Sequence, residues 1–276
     1  MRRILVSLGA VLVAFALVWL YLIFPGMAKL PEDYVQNYHF EGSVQAFNPG
    51  TGTYDTIPTK MDRTLNATDV NDADALILQQ VIKFTIAANG APLSAASPAL
   101  AVLDSTEIYA VDRTTRANVA GGDKTRTGQF TFPANVQQGT YQYWSATTNS
   151  TLTATFVAEE TVNGVKVYVF KIDSKGITNP TNATQTIDVV ATIKVEPVSG
   201  TPVDSKLTTT INQLLPTGSS MPVLINESHF TQATIDEMAT EAASNASLIM
   251  WASVYGFWAI IGLGVVLIVV GIFKKS

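Results

Sequence analysis

The sequence predicts a mainly β protein, α+β overall, in which a curved antiparallel sheet lies between two membrane-spanning helices. Two uncharged apolar runs, Ile4–Phe24 and Leu248–Phe273, lie at the ends of the 276-residue chain. Between them, runs rich in Val, Ile, Thr, Tyr and Phe alternate with turn dipeptides at a spacing of about 10–15 residues. This rhythm is typical of antiparallel strands joined by short turns.

The first apolar run is long enough to cross a bilayer. As a helix Ile4–Phe24 would be about 31 Å long, which matches the thickness of a hydrocarbon core. The alternative is a cleaved signal peptide, whose apolar region is only about 7–15 residues long. Gly26-Met27-Ala28 is also a poor cleavage site. We therefore expect a retained anchor.

Basic residues flank both spans on the side of the chain termini. Arg2 and Arg3 precede the first span, and Lys274 and Lys275 follow the second. Positive flanks favour the cytoplasm. The pattern predicts a two-pass protein of the plasma membrane with both termini cytoplasmic and residues 25–247 outside.

Charge and cysteine content exclude several classes of function. Four of the 17 basic residues lie in the tails, which leaves 13 in the outer region against 22 acidic residues. A surface this acidic argues against nucleic acid or anionic headgroups as partners. The chain has no cysteine, which excludes thiolate metal sites, iron–sulfur clusters and cysteine nucleophiles.

The pattern divides the chain into four segments. Residues 1–24 form the first anchor, 25–230 a β-rich outer domain, 231–247 a helical stalk, and 248–276 the second span with its basic tail. Pro25–Pro31 is rich in residues that break helices. Thr231 is placed to cap the stalk helix.

Individual turns divide the outer domain into strands. Asn163-Gly164, between Thr155–Val162 and Val165–Ile172, is the clearest hairpin signal. Leu76–Ala87 alternates in polarity and places Gln80 on the mostly apolar face of a strand. Further strands are predicted at Glu107–Val111, Ile187–Val195 and Val203–Ile211, with turns at Asn48-Pro49-Gly50 and Ala88-Asn89-Gly90 and a loop at Ala120–Asp123 that continues through Lys124-Thr125.

One group of aromatic residues is the leading candidate for a binding surface. Aromatic pairs across strands are ordinary sheet contacts, so core packing is the favoured interpretation. A groove for a hydrophobic ligand and an aromatic belt at the membrane interface are the alternatives. The group consists of Phe130, Phe132, Tyr141, Tyr143 and Trp144.

Other candidate sites are weaker. Asp69, Asp72 and Asp74 supply three carboxylates that a cation could use, but the EF-hand pattern fails and a solvated loop is favoured. His39 and His229 lie in no hydrolase or zinc motif. We therefore expect no enzyme activity and no cofactor. Sequons at Asn66, Asn149, Asn182 and Asn226 are possible glycosylation sites.

With these residues in place, nearly the whole chain resembles envelope proteins of actinobacteria and some archaea that are named PorA family porins. A looser resemblance links the hairpin and the turn that follows it to lipoprotein carriers of the LolA type, which implies a curved antiparallel sheet with a hydrophobic concavity. The segments that carry the resemblance to the PorA family are Phe132-Pro133, Thr140–Trp144, Glu159–Tyr168, Val195–Gly200 and Phe230–Thr234.

The resemblance implies no catalytic residues, and its name implies a channel. From the residues we expect a non-catalytic envelope protein that binds a lipid, another hydrophobic ligand or an envelope partner. A channel or pore component is the alternative. The small residues of Ala10-x₃-Ala14 and Ala252-x₃-Gly256 allow the two spans to pack together or a homo-oligomer to form.

Overall fold

The computed structural model describes residues 2–24, 29–123 and 125–273. The predicted basic tail at Lys274 and Lys275, the segment Gly26-Met27-Ala28 with most of the predicted membrane exit, and Lys124 of the predicted loop lie outside the described residues. The chain forms two compact units. One is helical and comprises Met1–Lys29 and Ala243–Ser276, and the other is the β unit Leu30–Ala242. The predicted domain bounds stay predictions.

The β unit confirms the predicted antiparallel fold. Its strands form one open sheet in the order β5-β4-β3-β2-β1-β11-β10-β9-β8-β7-β6, and all neighbours are antiparallel. The strands are β1 Val35–Asn48, β2 Thr53–Val70, β3 Ala75–Ile86, β4 Ser105–Asp112, β5 Asn118–Gly122, β6 Thr140–Ser145, β7 Ser150–Val162, β8 Val165–Asn179, β9 Asn182–Val195, β10 Pro202–Leu214 and β11 Ser220–Phe230. Two short 3₁₀ helices, Leu93–Ala95 and Pro98–Leu103, connect β3 to β4.

Turn residues with left-handed backbone connect these strands. Asn163 and Gly164 have φ angles of 48° and 81° between β7 and β8, as a two-residue hairpin turn requires. One predicted loop is wrong in part, because the Gly121-Gly122 stretch belongs to the edge strand β5. A side chain at Gly122 would meet the backbone of Ile108 on β4, so glycine allows the two backbones to pair closely.

The sheet curls on itself. Residues of β2 and β6, which are seven places apart in the strand order, line the same cavity. We call the side of the sheet that faces this cavity the inner face. Residues 128–130 lie between β5 and β6 in the sequence. Their backbone pairs with residues at both edges of the sheet and so links the two edges at one position. We call these three residues the seam.

Two clusters of buried side chains fill the inner face. The first core lies on β1–β4 and β11 and includes Tyr38, Leu65, Leu78, Tyr109 and Phe230. The second core lies on β7–β9 and includes Leu152, Phe170, Val189, Ile193 and Val195.

The helix α2, Gln232–Met250, begins directly after β11. Its start is capped as predicted, since the Thr231 hydroxyl accepts a hydrogen bond from the Thr234 amide at 3.2 Å. Met238 is fully buried in the first core, while Ala239 and Ala242 pack against Val167 and Val203 in a third, smaller cluster. The first half of α2 therefore belongs to the β unit.

Among the described residues, two helical segments are long and apolar enough to cross a membrane, Arg2–Ile23 and Gln232–Phe273. The first consists of α1, Arg2–Val18, and a π-helical turn, Trp19–Ile23. The second, 42 residues long, is continuous from α2 through a π-helical turn, Trp251–Tyr255, into α3, Gly256–Phe273.

The two spans run antiparallel and in close contact. Gly9 lies against the Gly264 backbone, and Gly271 lies against the Arg2 carbonyl. At the other end the Trp19 indole donates to the Ala252 carbonyl at 2.8 Å, which joins the two π-helical turns. Glycine at the contact allows the helix backbones to approach. The predicted small-residue pair in α1 does not form this contact, because Ala10 and Ala14 are exposed.

Candidate functional site

The seam joins two strands that are the open edges of the sheet. On one side the Asn118 amide donates to the Gly128 carbonyl at 2.8 Å, and the Phe130 amide donates to the Arg116 carbonyl at 3.0 Å. On the other side the Gln129 amide donates to the Gln142 carbonyl at 2.6 Å. The Trp144 amide donates back to the Gln129 carbonyl at 3.0 Å. The three residues of the seam thus provide hydrogen-bond partners for backbone groups at both edges of the sheet.

Local backbone conformation shapes the seam. Arg116 has a φ of 57°, which is uncommon for a residue with a long side chain. Gly128 has a φ of 66°, and a side chain there would meet the Gln142 carbonyl. In the orientation that suits its neighbours, the Gln129 side-chain amide donates to the carbonyls of Thr115, Arg116 and Thr131 at 3.1–3.2 Å.

The predicted aromatic group lies along the seam and β6 but is divided between the two cores. Phe130 and Phe132 are not in a strand and do not share one cluster. Phe130 packs on Tyr109 of the first core, with ring centroids 5.8 Å apart. Phe132 enters the second core, where its ring lies 4.5 Å from that of Phe170.

The other three aromatic residues are partly exposed. Tyr141 and Tyr143 both contact the ring of Phe132, at 5.1 and 5.8 Å between centroids. Trp144 is also partly exposed, and its indole nitrogen is buried without a hydrogen-bond partner. A buried donor of this kind loses its bond to water without a replacement. The ligand-binding role of this aromatic group stays a prediction.

The turn that follows β9 supports the segment between the seam and β6. The Glu196 carboxylate accepts the amides of Val198 and Ser199 at 3.0 and 2.6 Å. The carbonyls of Pro197 and Val198 accept the amides of Val136 and Asn135 at 2.7 and 2.9 Å. The Val195–Gly200 motif therefore holds the stretch that follows Phe132.

Polar side chains that sequence reasoning missed lie on the inner face of the first core. Arg63 donates through Nε and Nη2 to Gln80 Oε1 at 3.1 and 2.8 Å, and the Tyr109 hydroxyl donates to the same oxygen at 3.2 Å. Arg126 forms an ion pair with Glu107 and lies 3.4 Å from the ring centre of Tyr109. In the sequence, this polar group is indicated by Gln80, which lies on the mostly apolar face of β3.

Burial changes the acidity of the tyrosines around this polar group. It raises the pKa of Tyr34 to about 12. It also raises the pKa of Tyr38 well above 10.0, and that of Tyr109 in the same direction. In each case the cause is that a phenolate would lose its hydration inside the protein. The tyrosines around Arg63 are therefore neutral hydrogen-bonding groups at physiological pH.

The three acidic residues proposed for a cation do not converge. Asp69 accepts the Val70 amide at 2.8 Å, and Asp74 accepts from Arg113 Nη1 at 2.7 Å. Within residues 2–24, 29–123 and 125–273, no three His, Asp or Glu side chains cluster closely enough to hold a metal ion. The cation site stays a prediction without a convergent ligand set.

The predicted sequons differ in exposure. Asn149 and Asn182 are exposed, Asn66 is partly buried in β2, and Asn226 is only 7% exposed. The first two are the positions where the folded β unit offers an accessible amide. Glycosylation itself stays a prediction.

The histidines lie on neighbouring strands and each faces a carboxylate. His39 Nδ1 lies 2.6 Å from Asp62, and His229 Nε2 lies 3.4 Å from Glu41. All four side chains are about half exposed. These are surface contacts between strands.

Comparison with known proteins agrees with the motifs. The sequence profile described as Porin PorA matches residues 3–273, which include both spans and the whole β unit. The chain belongs to the PorA porin family. No curated protein matches it. Membership in the family confirms the PorA resemblance, which was carried by Phe132-Pro133, Thr140–Trp144, Glu159–Tyr168, Val195–Gly200 and Phe230–Thr234.

Proposed function

We propose that this PorA-family chain is a two-pass membrane protein whose β unit lies outside the cytoplasm as a non-catalytic binding module. Its partner is a component of the cell envelope or a hydrophobic ligand at the surface of the β unit. The observation that carries the proposal is the pair of antiparallel apolar helices, one of which continues without a break into the β unit.

The distribution of side chains along the helical unit supports this orientation. The end near the π-helical turns carries Trp19, Tyr21, Trp251, Tyr255 and Trp258, and the opposite end begins with Arg2 and Arg3. Tyrosine and tryptophan favour the interface of the bilayer, and basic residues favour its cytoplasmic side. Because Gly271 lies beside Arg2, both ends of the chain belong to the basic side.

The packing of the β unit favours binding at its surface over carriage of a lipid inside. Phe132 and Phe170 are fully buried where a LolA-like concavity would be open. The cavity beside Arg63 measures about 40 Å³. Small-molecule sites occupy about 300–1,000 Å³. A hydrophobic ligand would therefore contact the partly exposed Tyr141, Tyr143 and Trp144 along the seam.

Native mass spectrometry of the full chain tests the binding proposal. The protein is released from detergent micelles and examined for retained lipids or envelope components. We expect a defined adduct that is weakened several-fold by Trp144→Ala. The matched control is Tyr54→Ala, which changes another exposed aromatic residue far along the chain. A chain that carries no adduct after mild extraction, with intact spans and folded β unit, would contradict a binding role.

A pore component is the second candidate, and the family description favours it. Two spans without an ionisable residue between Ile4 and Phe24 or between Leu248 and Phe273 cannot line a polar pathway as a single copy. A pore would need several copies. Planar-bilayer recording of the purified protein distinguishes the two, because steps of constant conductance would favour the pore.

A further inference from the structure

A small cavity with a mostly apolar wall and a few polar side chains lies on the inner face, between the first core and the seam. Its volume is about 40 Å³. Side chains from β1, β2, β6, β9, β10 and β11 reach it, so it forms only when the sheet has curled. The residues with polar groups on its wall are Tyr38, Arg63, Thr131, Tyr143 and Ser205.

Arg63 brings a positive charge to this wall without an acidic partner. A guanidinium stays protonated in proteins, so the charge persists at every accessible pH. The acceptor for its Nε and Nη2 is Gln80, which is neutral. Within the part of the chain that the structure describes, no carboxylate lies within ion-pair distance of Arg63.

The other two arginines nearby differ in this respect. Arg126 pairs with Glu107, and Arg116 has Glu241 as an acidic neighbour. A charge taken out of water is unfavourable unless water, hydrogen bonds or a counter-ion compensate it. Arg63 is partly exposed and lines the cavity with two neutral contacts, Gln80 and the Tyr38 ring at 5.9 Å, and without a carboxylate.

Thr131 supplies an independent observation. It is 9% exposed, lines the cavity, and its hydroxyl is buried without a hydrogen-bond partner. The hydroxyls of Tyr38, Tyr143 and Ser205 belong to residues on the same wall. A guanidinium and an unpartnered hydroxyl on the wall of one cavity both offer donors, and an anion accepts from such donors while it neutralises the positive charge.

We propose that this cavity binds one small monovalent anion of chloride size, held by Arg63 and the Thr131 hydroxyl. The cavity excludes metabolites, because it is about ten times smaller than ordinary ligand sites. One negative charge would neutralise Arg63 and satisfy Thr131 together. The site does not depend on whether the β unit binds an envelope partner.

Thermal unfolding of the full chain in detergent micelles tests the site. Circular dichroism follows the β signal at constant ionic strength while sodium chloride replaces sodium gluconate. Once chloride exceeds its dissociation constant, we expect the Tm to rise by about 3–5 °C for each tenfold increase. Bromide should act like chloride, and its anomalous scattering in crystals of the full chain should peak beside Arg63.

Three variants identify the site. Arg63→Gln should abolish the chloride response, and Thr131→Val, which conserves shape, should need several-fold more chloride for the same Tm. Lys60→Gln removes an exposed cation from the same strand and should respond like the parent chain. If Tm is equal in chloride and gluconate, the cavity holds only water and the proposal fails. An equal chloride response in Thr131→Val and the parent would also overturn it.

Discussion

The two cores of the inner face are built on one sheet and differ in chemistry. The second core, around Phe170 and Ile193, consists mainly of apolar and aromatic side chains, and Thr209 is a buried hydroxyl beside it. The first core is joined by Arg63, Gln80 and the Arg126–Glu107 pair, all within one layer of its aromatic residues. Apolar residues at alternate strand positions are therefore enough to fill the inner face of a curled sheet. Charged groups on that face add a desolvation cost to folding, and their hydrogen-bond partners must offset it.

This difference predicts which changes destabilise each core. In the second core the free energy of unfolding depends mainly on filled volume, because dispersion and apolar burial are its main contributions. In the first core it also depends on polar partners and on pH. Loss of side-chain volume, loss of a hydrogen-bond partner and deprotonation at high pH should therefore destabilise the two cores to different extents.

Phe170→Ala should give the largest effect. The side chain is fully buried, and its ring touches those of Phe132, Tyr141 and Phe156. Loss of the ring leaves a cavity and should lower the free energy of unfolding by about 3–5 kcal/mol. Urea unfolding of the full chain in micelles, followed by circular dichroism, measures it.

The control for this change is Val157→Ala, at an exposed position on the neighbouring strand β7. It should change the free energy of unfolding by no more than about 0.5 kcal/mol. Comparable losses in the two variants would contradict a packed second core.

Alkaline pH should act on the first core. Burial raises the pKa of Tyr34 to about 12, whereas an unfolded tyrosine titrates near about 10. Between these values the unfolded chain loses a proton that the folded chain keeps. The contribution is therefore complete below pH 10 and falls by about 1.4 kcal/mol per pH unit as pH rises toward 12.

Absorbance of tyrosinate and circular dichroism, recorded together from pH 9 to 12, measure this loss. Tyr34→Phe should make the unfolding midpoint less sensitive to pH in this range. If tyrosinate forms fully near pH 10 while the β signal is intact, the buried tyrosines of the first core are more accessible than the structure indicates.

Glu107→Gln should give a smaller loss. The substitution keeps the shape but removes the charge that Arg126, only 4% exposed at its side chain, pairs with. A hydrogen bond to a charged group contributes about 1.5–3 kcal/mol, and glutamine retains part of it, so we expect a loss of about 2 kcal/mol. Glu159→Gln provides the matched control at the exposed pair with Lys166, where solvent screens the interaction and the loss should be clearly smaller than for Glu107→Gln. Equal losses of stability in the two variants would contradict the expectation that the buried ion pair stabilises the fold more than the surface pair.

Local patterns predicted most of the sheet. Asn163, Gly164 and Gly90 carry the left-handed backbone that their turns need, so these turn positions follow from residue type. The edge strand β5 was missed because its glycines resemble a loop, whereas here they let β5 approach β4 closely.

The seam and the charged first core could not be predicted in the same way. Gln129 joins Arg116 to Gln142 only after eleven strands have curled, and no local pattern records that closure. Arg63 did leave a signal, since it stands between Met61 and Leu65 at a position where alternation expects an apolar residue. The signal marks a partly buried arginine but does not identify its neighbours.

The central claim is that two spans hold the β unit outside the cytoplasm, and cysteine labelling tests it directly. The chain has no native cysteine, so one can be placed at Thr217→Cys, in the exposed turn between β10 and β11, or appended at the carboxyl terminus. A membrane-impermeant maleimide should label Thr217→Cys in intact cells and the carboxyl-terminal cysteine only after permeabilisation. Labelling of the carboxyl terminus in intact cells, with Thr217→Cys protected, would contradict the account.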